Sequence, residues 1–157
     1  MNIDGAVKIW DIICLNPERW FQGDWGRKMK TVSGDACTSA FCFAGHAATV
    51  LGNASPIFSR DWNDTTFVKL SDGSHRDIME YAVELLGINP WKADHLFDGD
   101  NSIQTIRDVL IEIAQEENDE DISDRLVLPG WAATHPYGFA LENDNGWVMG
   151  VPEKEGL

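Results

Sequence analysis

The chain has 157 residues, of which 43% are hydrophobic and 24% are charged. This length favours one domain whose core removes about two-thirds of the unfolded chain's surface from water, so stability requires neither a metal nor a disulfide. The formal net charge of -14 argues against direct binding to nucleic acids or anionic membranes, because their phosphate groups would be repelled. A protein with a basic surface is the predicted partner.

The acidic residues are concentrated in the second part of the chain. Residues 1–60 contain six Lys or Arg and five Asp or Glu, whereas residues 61–157 contain six and twenty-one. Seven tryptophans exceed what a core of this size commonly uses, so some of them are expected at a binding surface. Charge and aromatic content together favour protein–protein recognition, although the same charge also serves solubility alone.

The cysteines and the N-terminal segment predict a cytoplasmic protein. No cofactor is predicted. Three cysteines do not form a disulfide framework, which favours a reducing cytosol. Asp4 and Asp11 interrupt the N-terminal apolar residues, whereas a signal peptide has a continuous apolar stretch. The continuous apolar run over residues 40–51 is shorter than the roughly 20 residues of a membrane span.

The first predicted elements are two helices. Ile3, Val7, Trp10 and Cys14 recur at helical spacing. No charged residue occurs over 36–59, and alanines recur every four residues from position 36 to position 48. This pattern predicts a central buried helix over 36–52. Gly45 within it costs roughly 1 kcal/mol relative to Ala, which indicates that another backbone approaches closely there.

The rest of the chain predicts a strand, three helices and a hairpin. Residues 65–70 have the composition of a strand. The next helix is expected to begin at Ser74, with a capping box to Asp77, and to end at Gly87. A short helix covers 91–97, and another starts at Asn101 or Ser102 and ends in an acidic run that opposes the helix dipole. Segments 137–141 and 147–151 predict a β-hairpin.

We therefore predict a mainly α fold of the α+β class. About four helices pack around the central buried helix 36–52, accompanied by a small antiparallel sheet formed by 65–70 and the hairpin. The chain is predicted to be a single domain over 1–157. It comprises a helical core at about 2–117, an acidic connection at 116–125 and an aromatic hairpin region at 126–152.

The central segment also carries a recognisable motif. The run from Cys37 through Cys42 to Gly45, His46 and Ala47 resembles a motif in small uncharacterised proteins of actinobacteria and their phages. Those proteins commonly show Cys-Gly-Thr-x-x-Cys-x-x-Gly-Trp-Ala, so His46 occupies the usual Trp position here. Thr38 and Ser39 stand in the Gly and Thr positions.

The resemblance extends over about residues 2–115. Leu86-Gly87 and Leu96-Phe97 match later landmarks of those proteins. The resemblance implies a phage-encoded protein made inside a bacterial host, and it implies no particular activity.

Two kinds of reactive site are considered at this motif. Cys42 and His46 are four residues apart, so on a helix they could meet as a nucleophile and its base. Cys37, Cys42 and His46 could also bind zinc, with His75 or His95 as a fourth ligand. The spacing differs from the Cys-x2–4-Cys knuckles of structural zinc sites, and apolar surroundings raise a thiol pKa. Packing of a buried Cys against a buried His is therefore the preferred interpretation.

The leading prediction is a non-enzymatic, phage-type accessory protein that binds and modulates a host protein. Aromatic anchors would supply affinity and carboxylates would supply steering. The predicted partner-binding residues are Trp91, Glu112, Glu116, Glu117, Asp119, Glu120, Asp121, Trp131, Tyr137 and Trp147.

Three alternatives remain open from the sequence. The acidic groups could mimic DNA and inhibit a nucleic-acid-binding protein, provided that they form an elongated stripe. The chain could be a small enzyme or metal protein centred on Cys42 and His46, or a structural component of a virion. The sequence does not determine the oligomeric state.

Overall fold

The computed structural model describes residues 1–31, 37–59, 64–143 and 146–149. Helices and two separate sheets are both present, so the fold is of the α+β class. Within these residues, no helix combines the length and apolar character that crossing a membrane requires.

Five segments contain α-helix. The fold begins with a helix in which the Asn2 side chain caps the first turn by accepting a hydrogen bond from the Gly5 amide, at 3.0 Å. The second helix is short and continues directly into one π-helical turn, Ala47–Leu51. The helices are α1 (Ile3–Leu15), α2 (Phe43–His46), α3 (Ile78–Leu86), α4 (Pro90–Leu96) and α5 (Ile103–Asn118).

Seven strands form the two sheets. They are β1 (Gly26–Thr31), β2 (Cys37–Phe41), β3 (Ser55–Ile57), β4 (Phe67–Lys69), β5 (His75–Asp77), β6 (Ala140–Asn143) and β7 (Gly146–Met149). One sheet has the order β2-β1-β7-β6, with β1 and β7 parallel and the other neighbours antiparallel. The other has the order β3-β4-β5 and is antiparallel.

The predicted helix over 36–52 is wrong in its first part. Residues 37–41 form β2, which pairs with β1 in a register that places Ser39 opposite Lys28, and the helix begins only at Phe43. The uncharged run indicated burial correctly, but a buried strand meets that requirement as well as a buried helix does. The Cys42 side chain then caps α2, because its Sγ accepts from the Gly45 amide at 3.4 Å.

The close backbone approach predicted at Gly45 is confirmed. A Cβ at this position would lie 2.0 Å from the backbone oxygen of Trp25. Residues 43–48 are all buried, and α2 contacts α1, α3 and β2. The glycine therefore lets the first turn of α2 rest directly on the chain before β1.

Helix ends and strand partners account for the other differences. Asp77, rather than Ser74, caps α3 by accepting from the Glu80 amide at 3.1 Å, because residues 75–77 belong to β5. Gly87 ends α3 with a positive φ of 61°, and Ser102 caps α5, both as predicted. The hairpin is confirmed as β6 and β7, but β4 pairs with its sequence neighbours β3 and β5, so the single predicted sheet is wrong.

One main core joins the helices. Its buried side chains come from all five helices and also include Ile122 and Leu126. The segment predicted as an acidic connection therefore contributes to the main core. A smaller cluster of Ala40 and Phe139 packs beside the four-stranded sheet.

The contact at Gly45 predicts a large cost for one added methyl group. Gly45→Ala should lower the free energy of unfolding by about 2 kcal/mol or more, because overpacking against backbone outweighs the roughly 1 kcal/mol that Ala gains in helix propensity. Urea denaturation measures the difference. Gly99→Ala is the matched control, since its Cβ would meet no atom closer than 3.5 Å. Equal stability of the two variants would contradict the packing.

Candidate partner-binding surface

A buried amide, that of Gln22, anchors the helix that carries Trp91. The Gln22 Oε1 accepts from the Trp20 indole N–H and from the Phe43 amide, each at 3.1 Å. Its Nε2 donates to the backbone oxygens of Leu96 and Asp98, each at 3.2 Å. All four hydrogen bonds that a primary amide can make are thus used. They tie the end of α4 to the start of α2.

A second buried amide reinforces the same helix end. Asn101 is 9% exposed, and its Nδ2 donates to the backbone oxygens of His95 at 2.6 Å and Leu96 at 3.2 Å. The last carbonyls of a helix have no partner within the helix, so these amides satisfy them. The position of α4 is therefore defined at its C-terminal end.

The N-terminal end of α4 presents an exposed indole. The Asn89 side chain caps the helix by accepting from the Trp91 amide at 2.9 Å, and Pro90 takes the first helical position, which suits its fixed φ. The Trp91 side chain is left 81% exposed. An indole this exposed is a candidate anchor for a partner.

Helix α5 separates apolar and acidic side chains onto opposite faces. Ile106, Leu110 and Ile113 point into the core, as their spacing requires. Glu112 and Glu116, one turn apart, lie on the exposed face and border two grooves.

These two grooves flank the pair of glutamates. A groove of about 180 Å³ between α4 and α5 is lined by Lys92, His95, Val109, Glu112, Ile113 and Glu116. An open groove of about 480 Å³ on the other side is lined by Asp108, Ile111, Glu112, Gln115, Glu116, Asp121 and Ser123. We use the name acidic face for the surface formed by Trp91, Glu112, Glu116, Asp119, Glu120 and Asp121.

Cations of the chain itself stabilise the last turn of α5. The Lys92 Nζ lies 2.7 Å from a Glu116 carboxylate oxygen, and this hydrogen bond raises the pKa of Lys92 and lowers the pKa of Glu116. The Met1 amino group lies 3.2 Å from Glu117 and 2.8 Å from Asn118 Oδ1. Fraying, expected of this end without a cation, is thus opposed from within the chain, and Glu117 is committed to an internal contact.

Three carboxylates of the acidic face have no ion-pair partner among the described residues, although Lys92 interacts electrostatically with one of them, Glu112. Within the described part of the chain, no cationic group lies within ion-pair distance of Glu112, Asp119 or Glu120. Asp121 accepts hydrogen bonds from Ser123, which lower its pKa. The face is therefore anionic near neutral pH and complementary to a basic surface.

Trp131 does not belong to this face. Its indole N–H donates to the backbone oxygen of Cys14 at 3.2 Å, and its ring lies 6.0 Å from the Trp20 ring and 5.7 Å from the Phe139 ring. Trp131 is thus partly buried near the C-terminal end of α1, whereas Met1, before the start of α1, contacts Glu117. The length of α1 separates Trp131 from the acidic end of α5 by roughly 20 Å.

Tyr137 is also distant from the acidic end. It is 63% exposed, but the backbone oxygen of the preceding Pro136 accepts from the amide of Ile103, the first residue of α5. The 16 residues of α5 place this site roughly 20 Å from the acidic end. The side chain of Trp147 lies outside the described residues. The fold therefore does not bring all the predicted partner-binding residues together, because Trp131 and Tyr137 lie away from the acidic end of α5.

Cys42 and His46 lie in a dry interior. Burial raises the pKa of the Cys42 thiol to about 12 and lowers the pKa of His46 to about 4. The His46 Nε2 lies 2.9 Å from the backbone oxygen of Arg19, and since a carbonyl only accepts, Nε2 carries the proton. Cys42 therefore stays a neutral thiol and His46 a neutral imidazole, which does not suit nucleophilic catalysis.

The proposed zinc ligands do not converge where they can be described. The side chain of Cys37 lies outside the described residues, and His75 and His95 are exposed on β5 and α4. Across the described ranges, no three His, Cys, Asp or Glu side chains are grouped so that they could hold a metal ion.

Sequence reasoning missed several residues that shape the surface. Lys92, Val109 and Ile113 line the groove between α4 and α5, which becomes visible only when the two helices are paired. Gln22 gave no signal, because nothing in a polar residue's local pattern shows that distant carbonyls will surround it, and Asn101 was predicted only as a possible start of α5. Comparisons of the chain with protein families, curated proteins and solved structures give no significant match.

The amide at position 22 predicts a sharp response to an isosteric change. Gln22→Glu removes both N–H donors and introduces a carboxyl group opposite two backbone carbonyls. We expect the free energy of unfolding to fall by about 3 kcal/mol or more, measured by urea denaturation at pH 7. Gln104→Glu, on the exposed side of α5, should change it by about 0.5 kcal/mol at most. A similar small change at position 22 would contradict the buried amide.

His46 predicts a dependence of stability on pH. Its folded-state pKa is about 4 and its ordinary value is 6.5, so the unfolded chain takes up a proton first on acidification. The contribution of His46 is complete above about pH 6.5 and is lost as the pH falls to about 4, by about 3 kcal/mol. His46→Gln should flatten this part of the pH–stability curve, whereas His75→Gln, at an exposed site, should not. Parallel curves for wild type and His46→Gln would contradict the burial.

Proposed function

We propose that this chain is a non-enzymatic binding protein whose acidic face docks on a basic surface of another protein. The observation that supports this most is Trp91, whose side chain is 81% exposed. Its neighbour in the chain, Lys92, lines a groove with carboxylates on its walls and Val109 and Ile113 among its lining residues. An apolar anchor beside unneutralised charge suits a protein partner better than a small ion.

The two parts of the face would play different roles in binding. Burial of a tryptophan in a partner's pocket commonly contributes about 2 kcal/mol or more. The carboxylates would mainly raise the association rate and select basic partners, an effect that salt screens. Affinity should therefore depend on Trp91, and salt sensitivity should depend on Asp119 and Glu120, which have no ion-pair partner among the described residues.

The biological setting is proposed from the sequence motif. The resemblance of residues 37–47 to small proteins of actinobacteria and their phages supports a phage-type accessory protein. It would act in the cytoplasm of the bacterial host and modulate a host protein.

Mimicry of DNA is a second candidate, supported by one feature of α5. Asp108, Glu112 and Glu116 are exposed and recur every four residues, so they rise about 6 Å apart along the helix. Carboxylates in such a row could occupy a groove that normally receives phosphates. Lys92, which pairs with Glu116, shortens the unneutralised part of this row.

The test is capture of partners from a host lysate by immobilised protein. Wild type at low salt should retain a stoichiometric basic protein, and Trp91→Ala should weaken its binding by about 30-fold. Asp119→Asn combined with Glu120→Gln should slow association and reduce the salt dependence. Leu15→Ala, which alters a side chain that is 80% exposed, and Glu80→Gln on α3 are the matched controls.

Two results would contradict this function. The first is an absence of any stoichiometric partner at low salt. The second is a partner retained equally by wild type and Trp91→Ala. Release of the partner by duplex DNA, with little effect of Trp91→Ala, would favour the DNA-mimic function instead.

A further inference from the structure

A second candidate site lies at the opposite end of α5 from the acidic end. It is a cavity of about 220 Å³ lined by Phe21, Gln22, Gly23, Gly99, Asn101 and Tyr137. Gly23 and Gly99 contribute backbone to the wall, and a Cβ at Gly99 would be in ordinary van der Waals contact with the Gly23 Cα, at 3.5 Å. The missing side chains of the two glycines leave the cavity open.

Asn101 offers one hydrogen-bond acceptor to this cavity. Its Nδ2 protons are both used by the carbonyls of His95 and Leu96, which fixes the orientation of the amide. No group of the described residues donates to its Oδ1. Since no buried side-chain oxygen of the described residues lacks a partner, Oδ1 is accessible to solvent, and Asn101 is one of the residues that line this cavity.

The other lining residues exclude charged and polyhydroxylated ligands. Among the described residues, no charged side chain borders the cavity, so they offer neither a phosphate nor a carboxylate a counter-charge. The Gln22 amide is fully used elsewhere and offers no side-chain group. A polyhydroxylated ligand would therefore leave most of its hydroxyl groups unpaired, at a cost for each one.

The walls and the volume favour a flat ring. The rings of Phe21 and Tyr137 both border the cavity, and aromatic rings pack well on one another in offset or edge-to-face arrangements. An apolar cavity of about 150 Å³ accommodates benzene, whereas pockets for drug-sized ligands begin at about 300 Å³. A volume of about 220 Å³ therefore matches one substituted ring or one bicyclic ring.

We propose that this cavity binds an uncharged planar aromatic ring, such as an indole or a phenol, whose N–H or O–H donates to the Asn101 Oδ1. The ligand needs a hydrogen-bond donor because Asn101 presents only an acceptor. It needs a ring because the walls consist of aromatic side chains and of glycine backbone. The ring could belong to a free small molecule or to an aromatic side chain of a protein.

The site is built before a ligand arrives. Tyr137 is positioned by the hydrogen bond of 2.8 Å from the Ile103 amide to the Pro136 oxygen. Gly138 follows Tyr137 and has a positive φ of 88°. It packs against the Trp20 ring, because a Cβ added at Gly138 would lie only 3.0 Å from that ring. Binding would therefore not require these residues to be ordered first, which lowers its entropic cost.

The test is titration of ¹⁵N-labelled protein with indole and with 1-methylindole, followed by amide chemical shifts. Indole should give saturable shifts at residues 21–23, 99–101 and 137, with an affinity in the millimolar range expected of so small a ligand. The methyl group of 1-methylindole removes the donor and should weaken binding about tenfold. Benzoate, an anion of similar width, should not bind.

Variants separate this cavity from non-specific binding. Tyr137→Ala removes one wall, and Gly99→Leu fills the cavity; both should abolish the saturable shifts. Phe67→Ala, on β4 and half exposed, should bind indole as wild type does. Retained binding in Gly99→Leu, equal binding of 1-methylindole and indole, or an absence of saturable shifts would each overturn the proposal.

A further titration distinguishes the two sources of the ring. A blocked Gly-Trp-Gly peptide that binds more tightly than indole, with shifts at the same residues, would indicate an aromatic side chain of a protein. Binding of indole with exclusion of the peptide would indicate a free small molecule. The result does not depend on the acidic face, which lies at the other end of α5.

Discussion

The positions of both candidate sites depend on the fully hydrogen-bonded amide of Gln22. Because a buried polar group without partners costs more than a hydrogen bond contributes, the four partners of this amide must stay in place together. They belong to the loop before β1, the start of α2 and the end of α4. The groove lined by Lys92 uses α4, and the cavity beside Asn101 uses the same loop, so one buried amide positions both.

The fold separates reactive groups from charged groups. Cys42 and His46 lie where burial keeps both neutral, so they fill space, cap α2 and contact the Arg19 carbonyl. The carboxylates lie on the outer side of α5, where water solvates them and where Lys92 and the Met1 amino group compensate the end of the helix.

Local signals predicted local structure well and distant pairing poorly. The apolar spacing of α1, the stop at Gly87, the cap at Ser102 and the hairpin of β6 and β7 were all readable, because each depends on neighbouring residues. The helix predicted over 36–52 was wrong over residues 37–41, because β2 exists only through its partner β1. Among the predicted binding residues, Glu112 and Glu116 line the same groove, whereas Trp131 is partly buried against Trp20 and Phe139, which no local pattern shows.

The sequence by itself determined that the chain is acidic, that its excess charge follows residue 60, and that residues 36–59 carry no charge, which predicted the burial found over residues 40–48. These properties follow from residue type and spacing, since charge avoids the core. Only the tertiary structure decided which carboxylates of the described residues have no ion-pair partner, which of the described tryptophans is exposed and where a cavity remains open. These properties depend on contacts between residues far apart in the chain, such as Gln22 with Leu96 and Met1 with Glu117, whose packing no local periodicity encodes.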